Sequence, residues 1–412
     1  MGESASLLLR NASVLDPERG EIIPDRAVLV RGTEIAEIGD AGLRAPGARA
    51  IDVRGQILMP GLIDAHVHVT SYTADLAAAA EYSPFYVAAR AGQILRGMLD
   101  RGFTTVRDAA GADYGLAQAV QEGYLTGPRL LFGGKALTQT GGHGDGRPRG
   151  RDAYDDAYCR PSHGRIVDGV AEVRRAVRDE IRRGADHIKV MLSGGVASPT
   201  DRVDSTQFSM EEIQAAVEEA QAANRYVLGH AYTAAAVNRG LRAGVRSIEH
   251  GNLMDETSAA LFRETGAFYV PTLVTYQALA EEGLAAGLPP ASHRKVFDVL
   301  ESGLHALELA HRSGVPIAYG TDLLGDMHRH QLREFTIRAQ VQPAADIIRS
   351  ATTVAADLVN LAGRAGVIRE HAFADLLVLD ASPLDDIGVL TRPHQHLKLI
   401  MHAGRIHHNT LQ

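Results

Sequence analysis

The chain has 412 residues, 45% of them hydrophobic and 22% charged, with a formal net charge of -8. That length accommodates one large core and a smaller domain, and the negative balance argues against a phosphate-rich partner, so no nucleic acid is expected. The one cysteine, Cys159, excludes an internal disulfide framework and a zinc site built on cysteines.

The opening stretch "MGESASLLLR" has neither a basic start nor a long apolar core and does not read as a signal peptide. It fits the loose Met-Gly-x-x-x-Ser acylation pattern, which is too short to carry an anchor by itself. No apolar run reaches the ~18 residues that a membrane span needs. A cytoplasmic protein without a membrane partner is therefore expected.

Residues 6–60 hold short strand-like runs, "SLLLRNASVLD", "RAVLVRGTEIAEIG" and "ARAIDVRGQILMP", broken by Gly, Asn and Pro. Beyond them the texture changes to strand and helix in alternation. Strands are predicted at 62–69, 104–110, 129–135, 187–194, 226–232, 246–252, 267–273 and 316–322. The clearest helix is "SMEEIQAAVEEAQAANR", with Ser209 as N-cap and Glu212 completing a capping box. Another, "DGVAEVRRAVRDEIRRG", closes at Gly184. Residues 136–168 hold no regular pattern and read as a lid-like loop. The last stretches, "ADLLVLD" and "LKLIMHAGRIHH", return to the texture of the first.

Eight apolar strands alternating with helices imply an α/β fold, a (β/α)8 TIM-type barrel over residues 61–364. The two ends, 1–60 plus 365–412, are expected to combine as a small β-sandwich domain.

In such a barrel the chemistry gathers where the strands end. The first strand ends in His66 and His68, which share a side of the strand. The fourth carries Lys189, the fifth ends in His230, the sixth in His250 and the eighth in Asp322. Imidazoles and a carboxylate facing one mouth can bind zinc-like metals. A lysine beside cations is expected to lose its proton, and a neutral amine can take up carbon dioxide as a carbamate. Singly, each residue reads more readily as structural; their joint placement at strand ends carries the argument. The runs "HRH" (328–330) and "HQH" (394–396) read as exposed or supporting histidines.

"PGLIDAHVH", the fourth-strand lysine, the two later histidines and "GTD" resemble the amidohydrolase superfamily in its binuclear, carbamylated-lysine form. "HIKVMLSGGVASPTDRVDSTQFS", "GHAYT", "IEHGN" and "TQTGGHGD" resemble its Xaa-Pro dipeptidase and ochratoxinase-like branch. The resemblance implies two divalent ions, zinc foremost, held by His66, His68, His230, His250 and Asp322 and bridged by carbamylated Lys189. It implies attack by a bridging hydroxide on the amide before a C-terminal amino acid, with Asp322 taking the proton. His143 and Tyr232 match positions of substrate contact, for the oxyanion or the substrate carboxylate. Arg147, Arg149, Arg151 and Arg160 are further candidates for that carboxylate. Homo-oligomers, octamers among them, are also implied. The rival readings are a cyclic-amide hydrolase or a deaminase on the same scaffold, and a non-catalytic scaffold.

Overall fold

The computed structural model describes residues 6–147, 149–151 and 161–411. Cys159, Arg160 and most of the acylation pattern at the start of the chain lie outside the described residues. The chain divides into two compact units, one of Met1–Asp64, Met98–Thr105 and Phe335–Gln412, the other of Ala65–Gly97 and Val106–Glu334.

The first unit is built on a sheet to which both ends of the chain contribute. Its early strands are β1 (Leu7–Asp16), β2 (Glu21–Arg31), β3 (Glu34–Asp40), β4 (Arg49–Asp52) and β5 (Ile57–Pro60). β1 pairs antiparallel with β2 and parallel with β4 and β5. β5 is in turn bordered by a strand from the far end of the chain, Leu376–Leu379, in antiparallel register. Apolar residues from both ends, among them Leu9, Val28, Leu58, Leu376, Val378 and Leu399, bury together in one cluster. Pairing thus lets strands from both ends share one buried apolar face.

The second unit alternates strands and helices. β6 (Leu62–Val67) and β7 (Phe103–Asp108), whose second halves fall in this unit, form one sheet with β8 (Arg129–Phe132). β9 (Ala136–Thr138), β10 (Gly164–Ile166), β11 (Ile188–Met191), β12 (Val227–Thr233), β13 (Ser247–Leu253) and β14 (Phe268–Val270) form another, ordered β10-β9-β11-β12-β13-β14. Neighbouring strands of this second sheet are parallel. The terminal sheet is completed by β15 (Leu376–Leu379), β16 (Leu397–His402) and β17 (Arg405–Asn409).

Three expectations change in detail. The strand at 129–135 stops at Phe132, because Gly134 takes φ +70° and a Cβ there would meet Glu180 Oε2 at 2.3 Å. The stretch 136–168 is not wholly irregular: β9 and β10 pair within it. At 316–322 only Ile317 bridges, to Tyr269. The segment nevertheless bonds on both sides, Tyr269 N to Pro316 O at 2.9 Å and Ala65 N to Tyr319 O at 2.8 Å. The capping box forms as expected: Ser209 Oγ accepts from Glu212 N at 3.3 Å, and Ser209 N donates to Glu212 Oε2 at 2.7 Å. No described helix is long and apolar enough to cross a membrane.

Candidate active site

His66 sits in β6 and His68 just past its end, with ring centroids 5.3 Å apart. Asp322 Oδ1 lies 3.4 Å from His66 Nε2 and 3.2 Å from His68 Nε2. Ligand atoms around one tetrahedral zinc, each ~2.0–2.1 Å from it, sit roughly 3.3 Å apart, so this spacing fits a divalent ion. Each ring is set by its other nitrogen. His68 Nδ1 donates to Ala110 O at 2.7 Å, and His66 Nδ1 to Glu249 Oε2 at 2.6 Å. Both Nε2 lone pairs are thereby turned toward Asp322, the arrangement in which histidine binds a metal. Burial works to raise the Asp322 carboxyl, but the surrounding histidines, when protonated and donating to it, prevail and hold it well below the usual carboxylate range.

Sequence reasoning missed Glu249 and its partner. Both are sealed from solvent, and the Arg107 guanidinium donates to Glu249 Oε1 and Oε2 at 2.9 Å each. Glu249 directly precedes His250, so strict strand alternation would send the two side chains to opposite faces. His250 escapes that rule with φ +75°, followed by Gly251 at +56°. The break lets Glu249 reach His66 while the His250 ring lies 5.1 Å from that of His66. A turn of this kind leaves no mark in the hydrophobic pattern. Asp322 (φ +53°) and Thr272 (φ +48°) also adopt the left-handed region. For a β-branched residue such as Thr272 that is a strained choice, held here at a site, where its Oγ1 meets His250 Nδ1 at 2.8 Å.

His230 and His250 lie on neighbouring parallel strands with ring centroids 4.6 Å apart. His230 Nε2 faces Gly194 O at 3.2 Å, which leaves the lone pair of the neutral ring on Nδ1. Lys189 is 2% exposed. Burial pulls its ammonium down to about 8, against the pull of Glu249 and Asp322.

These groups line a cavity of about 400 Å³. Leu76, Met191, Val196, Leu279 and Leu324 supply apolar wall, and His143, Tyr232 and Tyr276 supply polar points. Tyr276, also missed, hydrogen-bonds the Tyr232 hydroxyl at 3.2 Å. It comes from the first turn of the helix Leu273–Glu282, beyond the end of β14 rather than on the strand, so strand alternation gave no signal. Burial pushes both phenols above their ordinary range, so both stay protonated donors. His143 stacks on His230 with centroids 4.2 Å apart.

The arginines divide. Arg147 and Arg151 border the cavity, but Arg147 already forks onto Asp145 at 2.9 and 2.8 Å, and Arg151 reaches Glu81 at 3.2 Å. Arg149 is exposed and is not among the residues that line the cavity. Arg160 lies outside the described residues. Of the remaining histidines, His328 is buried with Nε2 3.3 Å from Ser71 O, and His396 bonds Asp380 at 2.7 Å.

Residues 57–406 match the model of the amidohydrolase family. The chain is 35% identical over 415 residues to an ochratoxinase of Aspergillus niger, covering 95% of this chain and 85% of that protein. It is similar to a prolidase solved in complex with N-methylphosphonate-L-proline, at 50% identity and a TM-score of 0.96, covering 98% of this chain and 100% of that one. It is also similar to a Xaa-Pro dipeptidase solved with methionine in its active site, at 29% identity and a TM-score of 0.89, with 98% and 100% coverage.

Proposed function

The chain belongs to the amidohydrolase family, a hydrolase of amide C–N bonds with an α/β fold of the TIM-barrel type, and from that premise we propose that it cleaves the amide before a C-terminal amino acid. The substrates in this reading are Xaa-Pro or related dipeptides and N-acyl amino acids, ochratoxin-like amides included. The reading takes the barrel as closed, with eight strands across residues 61–364, and the 1–60 plus 365–412 domain as a β-sandwich.

The observation that carries the reading is the meeting of His66, His68 and Asp322, with donor atoms within 4.8 Å of one another, at the wall of a largely apolar cavity. His66, His68 and Asp322 would hold one divalent ion, and His230 and His250 a second. Lys189, carbamylated by carbon dioxide, would stand between them as a carboxylate; a burial that favours its neutral amine supports this. Two such ions, when bound, supply Lewis acidity toward the scissile carbonyl and make water a competent nucleophile at neutral pH.

The chain's own groups do the rest. Glu249 and Arg107 hold the His66 ring in its ligating tautomer. The Asp322 carboxylate takes the proton of the attacking water and returns it to the departing amine nitrogen. Tyr232, backed by Tyr276, donates its phenolic hydrogen to the oxyanion or to the substrate carboxylate. His143 makes the second polar contact with the substrate. The apolar wall excludes water from the side chain on the acyl side.

The test is a screen of the zinc-loaded protein against dipeptides, N-acyl amino acids, cyclic amides and aminated heterocycles. Turnover confined to the first two classes is expected. Turnover of cyclic amides or release of ammonia alone would replace this reading with one of its rivals.

A further inference from the structure

The loop after β11 carries a closed hydrogen-bond network that ends on His143. The Lys295 ammonium, on the helix Pro290–Leu300, has three hydrogens, and three loop carbonyls receive them: Gly195 O at 3.0 Å, Ser198 O at 2.9 Å and Asp201 O at 2.8 Å. Within the loop, Asp201 accepts from Ser198 Oγ at Oδ1, and from Gln207 Nε2 at 2.9 Å and Gly195 N at 3.2 Å at Oδ2. Gln207 Oε1 in turn accepts from the backbone N–H of His143 at 2.9 Å. His143 Nδ1 lies 2.9 Å from Ser198 Oγ.

Hydrogen counting fixes the direction of that last bond. A serine hydroxyl has one hydrogen. Ser198 has two acceptors for it, Asp201 Oδ1 and Gly195 O, and neither of these can donate. The hydroxyl therefore accepts from the ring, and His143 carries its proton on Nδ1. In the neutral ring Nε2 is then the lone-pair nitrogen, on a residue that lines the cavity. Gly195 also leaves room for the ring, since a Cβ there would lie 1.9 Å from it.

We propose that Lys295 is a positioning residue for substrate recognition: through Ser198 and Asp201 it holds the His143 ring with a proton on Nδ1, so that Nε2 is the nitrogen offered to a substrate N–H group. Held in this way, the ring cannot donate to a carboxylate without first taking up a proton. Carboxylate capture then falls to Tyr232 and the rim. This inference rests on the proposed amide hydrolysis for its substrate, but not for its geometry.

Two readouts test it. In zinc-loaded protein labelled with 15N-histidine, with the His143 signals assigned by their loss in His143→Gln, long-range 1H–15N spectra report which ring nitrogen bears hydrogen. The wild type should show the Nδ1–H tautomer, and Ser198→Ala and Lys295→Met should show a mixture. Lys295→Met should lower kcat/KM for a dipeptide about tenfold or more, yet less than about twofold in a His143→Gln background, since residues acting through one another are not additive. Zinc content should not change. Ser198→Ala, confined to the loop, covers the case in which Lys295→Met fails to fold. An Nε2–H tautomer in the wild type, or equal losses from Lys295→Met in both backgrounds, would overturn the proposal. Absence of any amide hydrolysis by the wild type would strike the proposed activity instead, and the spectra would still decide the positioning.

Discussion

At the scale of single residues, the site depends on donors and acceptors whose directions are set from behind. Asp322→Asn should still bind metal, because an amide oxygen can ligate, but turnover should fall by two or more orders of magnitude because an amide cannot take the proton. Metal analysis beside steady-state kinetics separates the two effects, and an unchanged kcat would remove Asp322 from the proton path. Glu249→Gln should act differently. It leaves Arg107 buried without its anion and weakens the anchor of His66, so a loss of ~3–5 kcal/mol in stability and a 10–100-fold loss of metal affinity are expected. Chemical denaturation and metal titration measure these. His163 supplies a pH dependence. Its Nδ1 is buried without a hydrogen-bond partner among the described residues, and burial drives the ring down to about 3. The unfolded chain takes a proton near 6.5 that the folded one refuses, so stability is full above that pH and declines as the pH falls toward 3. The residue is not fully sealed from solvent, which trims the effect. In metal-free protein, His163→Gln should flatten the fall in melting temperature between pH 7 and pH 5 by an amount equivalent to about 1 kcal/mol. An identical slope in both proteins would contradict this assignment.

At the scale of elements, strand ends were legible in the sequence and the turns beyond them were not. His66, His68, His230, His250, Lys189 and Asp322 could be gathered because each closes or occupies a short apolar run, a pattern that depends only on alternation. Glu249 was passed over because its role depends on the broken pleat at His250, a backbone event with no compositional sign. Tyr276 and Lys295 come from helices whose register against the site is fixed by tertiary packing. The strand expected at 129–135 came out too long because it ran through the Gly133–Gly134 pair, where the structure breaks before β9. The capping box was legible because it is local, and it makes a clean control. Ser209→Ala should cost about 1 kcal/mol in thermal or denaturant melts. It should leave kcat/KM unchanged, since the box acts on the helix Met210–Ala222 and does not border the cavity.

At the scale of the whole molecule, the terminal sheet makes the far end of the chain essential to the near end. β15 lies between β5 and β16, so a chain ending before Leu376 would leave β5 with an open edge and strip apolar partners from β1 and β2. Such a truncation should fail to give a cooperative melt, which circular dichroism would reveal. The central claim, though, concerns chemistry: a metal-dependent hydrolase that reads a free C-terminal carboxylate. The measurement that meets it most directly is kcat/KM for one Xaa-Pro dipeptide and its C-terminal amide, each with the zinc-loaded and the chelator-stripped protein. A free carboxylate desolvated in the cavity and left without its partner Tyr232 costs several kcal/mol, so the free peptide should be preferred by on the order of a thousandfold. Chelation should abolish its turnover, and added zinc should restore it. Equal rates on the free and amidated peptides, or rates indifferent to chelation, would contradict the account.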